Sequence, residues 1–242
     1  MNNGKSDREF DVIVYGATGF TGTLVAEYLM RQYGLNGDLK WSIAGRSASK
    51  LESVKKSLGE QAADLAMIVA DSGDQGALAA LASRTRVVIT TVGPYALYGS
   101  KLVSACVEAG TDYCDLAGEV QWIRKMVDKH HERAQETGAR IVHCCGFDSI
   151  PMDMGVFFLQ QAAREQHGSY CRSIALFVKA TKGTASGGTI ASMMNIIEEA
   201  YVDRSIARMM DNQYALNPEG EREGPVEGDQ QYVLHDPVAA RW

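Results

Sequence analysis

Phe10-Asp11-Val12-Ile13-Val14-Tyr15-Gly16-Ala17-Thr18-Gly19-Phe20-Thr21-Gly22 joins a β-branched run to a glycine-rich turn. The run is strand-prone. Thr21–Tyr33 follows with Leu24, Val25, Tyr28 and Leu29 at helical spacing. Each glycine of this strand-to-helix turn answers a physical demand. Gly16 permits the tight turn, Gly19 lets backbone approach a pyrophosphate with no Cβ in the way, and Gly22 lets the helix press on the strand. The helix N-terminus offers unpaired amides and the positive end of its dipole to phosphate. The spacing is G-x-x-G-x-x-G rather than the stricter G-x-G-x-x-G, so its position at the start of a βαβ series gives it its meaning. Gly16, Ala17, Thr18, Gly19, Phe20, Thr21 and Gly22 are the expected phosphate-binding turn; the alternative is a glycine turn with no ligand.

Outward from this turn, short apolar runs alternate with amphipathic stretches. Leu39–Ala44, Leu65–Ala70, Arg86–Val92, Thr111–Leu116 and Ala139–Cys145 read as further strands. Between them lie helices from Ser47, over Gln75–Ala82, over Ser100–Glu108 and over Glu119–Thr137, the last stopped by Gly138. Alternation at this pitch implies right-handed crossovers and a parallel sheet covered on both faces, a doubly wound Rossmann-type α/β domain. The rhythm changes at Pro151, which opens an apolar helix. Ser173–Thr181 reads as a strand, and a helix carrying Ile190, Met193, Met194, Ile197 and Tyr201 on one face follows Gly183–Gly188. The methionines at 193, 194, 209 and 210 read as core rather than as a substrate groove. The expected division is a polar tail (1–8), a dinucleotide-binding domain (9–150), the start of a second α+β domain (151–210), and a loop or weakly ordered tail (211–242).

Composition narrows the function. The 242 residues carry 24 Lys+Arg against 30 Asp+Glu, a net charge of −6, which argues against a nucleic-acid partner. No apolar run approaches the ~18 residues of a spanning helix, and Met1–Arg8 lacks the apolar core of a secretory signal. Cys106, Cys114, Cys144, Cys145 and Cys171 show no C-x-x-C spacing, which fits a reducing cytoplasm and no metal.

The second strand selects the cofactor. An NAD-preferring site usually carries an acid at its end, ~20 residues beyond the glycines. Here that strand ends Ala44-Gly45-Arg46-Ser47, with Lys50 a turn later. Arg46 can fork onto a 2′-phosphate, Ser47 can donate to it and Lys50 adds positive charge, so NADP(H) is expected over NAD(H). Ligands of such sheets lie across the carboxyl ends of the strands, which adds Thr91, Val92, Gly93 and Pro94. Tyr95 and Tyr98 offer hydroxyls there, but no tyrosine has a lysine four positions on, so the tyrosine–lysine reductase pair is absent. Asp115 and Glu119 bracket a further loop, and Asp148 either orients substrate or caps the helix behind it. His143-Cys144-Cys145 reads as small side chains alternating in a buried strand.

These pieces together resemble the saccharopine dehydrogenase-like oxidoreductases, and most of all their bacterial trans-acting enoyl reductase branch. The matching stretches are Y-G-A-T-G-F-T-G from Tyr15, A-G-R-S from Ala44, T-V-G-P-Y from Thr91, Y-C-D-L-A-G-E from Tyr113, C-G-F-D-S-I-P-M-D from Cys145 and S-G-G-T from Ser186. The resemblance implies an NADP-binding Rossmann domain, then an α+β domain for substrate binding and subunit pairing, hence a homodimer. It implies reduction of a carbon–carbon double bond in an acyl-chain, lipid-related substrate by hydride transfer, with peripheral lipid association left open. A saccharopine-type C–N oxidoreductase and a non-catalytic NADP(H)-binding module are the alternatives. Such proteins are longer, so the substrate half of this chain is expected to be incomplete.

Overall fold

The computed structural model describes residues 7–178, 180, 182 and 185–224. Strands β1 (Phe10–Tyr15), β2 (Trp41–Gly45), β3 (Ala66–Val69), β4 (Thr85–Thr90), β5 (Asp112–Cys114) and β6 (Ile141–Val142) form one sheet in the order β3-β2-β1-β4-β5-β6. Every pairing is parallel. The chain reverses direction of growth between β3 and β4, so β1 and β4 flank the crevice where such sheets bind dinucleotides.

Successive side chains on a strand point to opposite faces, and here both faces are apolar. Val14 and Ile43 pack with Ala26, Leu29, Leu51 and Val54 beneath α1 (Phe20–Tyr33) and α2 (Ala48–Ser57). Ile13, Tyr15 and Val88 pack the other way, against α3 (Gln75–Ser83), α5 (Ser100–Ala109) and α6 (Val120–Thr137). The one-turn α4 (Tyr95–Tyr98) leads into α5.

Beyond the sheet, α7 (Ile150–His167), α8 (Gly187–Val202) and α9 (Arg204–Met210) complete the described chain. The expected strand at Ser173–Thr181 is not formed: residues 173–178 lack regular structure, and residues 179 and 181 lie outside the described set. Leu176, Phe177 and Val178 are exposed, so the strand-like composition there has no neighbouring strand among the described residues to pair with. The core expectation for α8 is overturned too. None of its residues is buried, and its half-buried stripe is Ser192, Asn195, Ile196, Glu199 and Ala200; Ile190, Met194 and Tyr201 are exposed away from it, and Met193 and Ile197, also exposed, border a cleft. Residues 212–224 are irregular as expected, yet they fold back on α6: Arg124 Nη1 donates to the Asn217 carbonyl at 3.1 Å, and Ala215 is buried. Residues 225–242 lie outside the described set.

The expected polar tail also ends sooner than Arg8. Its guanidinium donates to the carbonyls of Ala82 (2.9 Å), Thr85 (2.6 Å) and Ala109 (2.5 Å) and to Thr111 Oγ1, pinning the start of β1 to the ends of α3 and α5. These carbonyls sit at element ends, where no helix or sheet partner serves them. Arg8→Ala should lower unfolding free energy by about 2–3 kcal/mol, read by chemical denaturation, and Arg8→Lys, which lacks the fork, should recover less than half of that.

Candidate functional site

The glycine turn behaves as its sequence demands, with one refinement. Gly16 has φ +88°, and a Cβ there would stand 2.6 Å from Val92 Cγ2. A Cβ at Gly22 would stand 2.2 Å from the Gly16 carbonyl oxygen, so the first turn of α1 rests directly on the turn below it. Gly19 is different. It adopts φ −85°, ψ 165° at the N-cap of α1, and a Cβ there would meet nothing nearer than Gly16 O at 3.4 Å. Gly16 and Gly22 are glycines because the fold needs them, whereas the open side of Gly19 is free for a ligand. The Gly19 amide itself is already spent on Gly16 O at 3.0 Å. The free donors are therefore the first-turn amides of α1, starting with Phe20 and Thr21. No side chain caps this helix and no acid occupies its first turn, so its positive end is left for an anion.

This turn opens into a cleft of about 420 Å³ across the ends of β1, β2 and β4. Of the expected cofactor residues, Gly16, Thr18, Gly19, Phe20 and Thr21 line it on one side, Arg46 at one end, and Thr91, Val92 and Gly93 on the other. Ala17 and Gly22 are buried behind that surface. Arg46 is exposed at the rim and makes no hydrogen bond to another described residue. Ser47 caps α2, accepting from the Lys50 amide at 3.4 Å; neither Ser47, Lys50 nor Pro94 lines the cleft. Composition alone did not point to Ser72, or to Ser186, Gly187 and Gly188 at the start of α8, which close the cleft from above. The signal for them was present in the glycine pair ahead of a helix and in the end of the third strand.

A second cleft of about 540 Å³ continues from the first and shares Thr21, Thr91, Gly93, Ser186 and Gly188 with it. Leu116, Met193, Ile196, Ile197 and Met210 make it apolar, and Glu119, Asp148, Ser149, Thr189 and Ser192 supply its polar groups. The two tyrosine candidates part company here. Tyr98 is exposed and lines the first cleft. Tyr95 is buried, its hydroxyl donating to the Thr90 carbonyl at 3.3 Å and accepting from the Leu116 amide at 3.2 Å. Burial pushes that phenol well above its ordinary range, and its two bonds brace β4 against the loop after β5. Asp148 is exposed on the second cleft and does not cap α7, whose N-cap residue, Ser149, makes no side-chain bond either.

The bracketing acids turn out to be structural hubs. Asp115 is buried and accepts from Tyr113 Oη (2.9 Å), the Ala117 amide (3.0 Å) and the Cys144 amide (3.1 Å), with His143 Nδ1 at 2.6 Å. This corrects the expectation for His143-Cys144-Cys145. The strand stops at Val142, Cys144 takes φ +60°, and His143 and the Cys144 amide meet the Asp115 carboxylate while the Cys145 amide donates to the Asp115 carbonyl, instead of the trio alternating through a sheet. Among the described residues no group of three His, Cys, Asp or Glu could hold a metal ion. Gly22→Ala should cost about 3 kcal/mol of stability from overpacking, and Gly19→Ala under about 1 kcal/mol, both measured by thermal and denaturant unfolding.

Comparison with known proteins places the chain in a family. Residues 12–142 match the family model described as saccharopine dehydrogenase NADP binding domain. A Mycobacterium tuberculosis protein provisionally named a trans-acting enoyl reductase is 46% identical over 212 residues, covering 88% of this chain and 50% of that protein. A trans-acting enoyl reductase of Mycobacterium bovis is 41% identical, covering 87% and 50%. The chain thus spans about half the length of the curated relatives it matches. Among solved structures, the saccharopine dehydrogenase of Saccharomyces cerevisiae superposes with a TM-score of 0.50 at 19% identity, over 66% of this chain and 32% of that one, a likeness of fold. The chain belongs to the saccharopine dehydrogenase NADP-binding domain family, and its cofactor is NADP(H).

Proposed function

We propose that this chain carries the cofactor half of an NADP(H)-dependent reductase that saturates a carbon–carbon double bond in an acyl-chain substrate. The observation that carries this reading is the apolar cleft that runs on from the dinucleotide cleft and shares its wall at Thr91 and Gly93. The names of the enoyl reductase relatives point the same way. When bound, the cofactor supplies the hydride. The first-turn amides of α1 hold the pyrophosphate, Arg46 meets the 2′-phosphate, and Thr91, Gly93 and Gly188 flank the nicotinamide half. Leu116, Met193 and Ile197 bury the acyl chain and keep water from the reacting carbon. With Tyr95 engaged as a brace, Asp148, exposed on the second cleft, and Tyr98, exposed on the first, are the candidates left to orient substrate or relay a proton. Against a saccharopine-type substrate stands the lining of the second cleft, which among the described residues has two carboxylates and neither lysine nor arginine to receive a dicarboxylate.

The domain reading belongs to the same proposal. Residues 9–150 bind the dinucleotide and 151–210 begin the substrate and pairing domain, supported by the exposed Phe157 and Phe158 of α7 and the outward apolar face of α8. Pairing as a homodimer is part of that reading. All five cysteines are free, which supports a reducing, cytoplasmic setting; no helix among the described residues is long and apolar enough to cross a membrane.

Fluorescence titration with NADPH and NADH tests the cofactor assignment. Arg46→Ala should weaken NADPH roughly ten- to hundredfold, as expected for lost charge-assisted hydrogen bonds, and leave NADH nearly unchanged; equal losses would remove Arg46 from the 2′-phosphate. Gly19→Val should weaken both dinucleotides while the protein stays folded. Assays of NADPH oxidation with enoyl thioesters then test the reaction, and tight cofactor binding without consumption across substrates would favour the non-catalytic module.

A further inference from the structure

Glu119 is wholly buried yet touches the lining of the second cleft. Its carboxylate is the joint of three elements. Oε1 accepts from the Tyr95 amide at 2.7 Å and Oε2 from the Ala96 amide at 2.8 Å, satisfying the exposed donors at the start of α4. Oε1 also accepts from the Ser192 hydroxyl of α8 at 2.8 Å. The same Ser192 Oγ lies 3.4 Å from where a Cβ on Gly93 would stand, so α8 is seated against the Gly93–Pro94 turn at this point.

That contact has weight because, among the described residues, few side-chain hydrogen bonds tie α8 directly to the nucleotide domain. Its half-buried stripe is mainly polar, and one further side-chain bond of that stripe reaches the nucleotide domain, from Gln121 Nε2 to Glu199 Oε2 at 3.0 Å, two turns beyond Ser192. Ser186 and Gly188, at the N-terminal end of α8, face Thr91 and Gly93 across the stretch where the two clefts merge.

We propose that Glu119 and Ser192 form a positioning pair that sets the width of the trough where the two clefts join, and thereby seats the nicotinamide half of the bound dinucleotide. The pair touches no reacting atom. It fixes the distance between the Gly93 turn, held through α4, and the first turn of α8, held through Ser192. The adenosine half, whose residues lie at the far end of the cleft near Arg46, does not depend on it. This inference rests on the cofactor orientation given under the proposed function.

Two probes separate the halves: NADPH, and adenosine 2′,5′-bisphosphate, which has the 2′-phosphate and no nicotinamide. Ser192→Ala leaves both amide bonds of Glu119 in place. It should weaken NADPH about five- to tenfold, the scale of one net hydrogen bond, and leave the bisphosphate unchanged; Ser192→Thr, which keeps the hydroxyl, should restore NADPH binding. Glu119→Gln turns one amide donor against another donor and should show the same selective loss. Unchanged NADPH affinity in Ser192→Ala, or an equal loss for both probes, overturns the inference. Failure of the unmodified protein to bind either probe would instead overturn the site on which it rests.

Discussion

The close seating of α1 on the turn beneath it is the constraint from which the site follows. With no Cβ at Gly22, the helix sits so near the Gly16 carbonyl that any side chain would stand 2.2 Å from it. That contact fixes where the helix starts, and so where its unpaired amides point. Gly16 at φ +88° makes the turn tight enough to bring those amides over the sheet edge between β1 and β4. The crevice is thus the product of steric allowances at two positions, and Gly19, under no such pressure, leaves its outer side to the ligand.

Buried carboxylates do the corresponding work at the far end of the sheet. Asp115 gathers the loops after β5 and β6 with four partners, and Glu119 ties α4 and α8 together. A buried carboxylate is tolerable only when its lone pairs are met by donors, and here mostly amides of neighbouring loops meet them. Acids at strand ends invite a reading as proton relays, but a carboxylate saturated with donors is a fastener. The second cleft is left with apolar walls and exposed Asp148 at its surface.

The parallel sheet was legible because its strands are buried on both faces: Val12–Tyr15 and Val87–Thr90 have no polar alternation to mislead. The cofactor turn was legible because its glycines are local signals. What escaped depends on partners distant in sequence. Arg8 looks like part of a tail until Ala82, Thr85 and Ala109 are brought to it. Ser173–Val178 has strand composition, but pairing requires a neighbour that composition does not reveal. The helix period over Ile190–Tyr201 was right, and the choice of its inward face was wrong, because polar Ser192 and Glu199 find buried partners in Glu119 and Gln121.

A chain of net charge −6 that binds a polyanionic dinucleotide poses an apparent conflict. It dissolves on the scale of a Debye length, about 8–10 Å in physiological salt. Around the first cleft the structure presents the positive end of α1 and the Arg46 guanidinium, which bonds no other described residue, and the α1 first turn holds no acid. Of the acids on the sheet's far side, Glu119 and Asp115 are wrapped by donors whose dipoles offset them, and Asp148 stands exposed to solvent on the second cleft. Other acids are paired at the surface, as Glu9 with Arg84 and Glu108 with Arg133. Local arrangement of donors, rather than the sum of charges, therefore decides what this surface attracts, and the same sum still disfavours a long row of phosphates that no single helix end could neutralise.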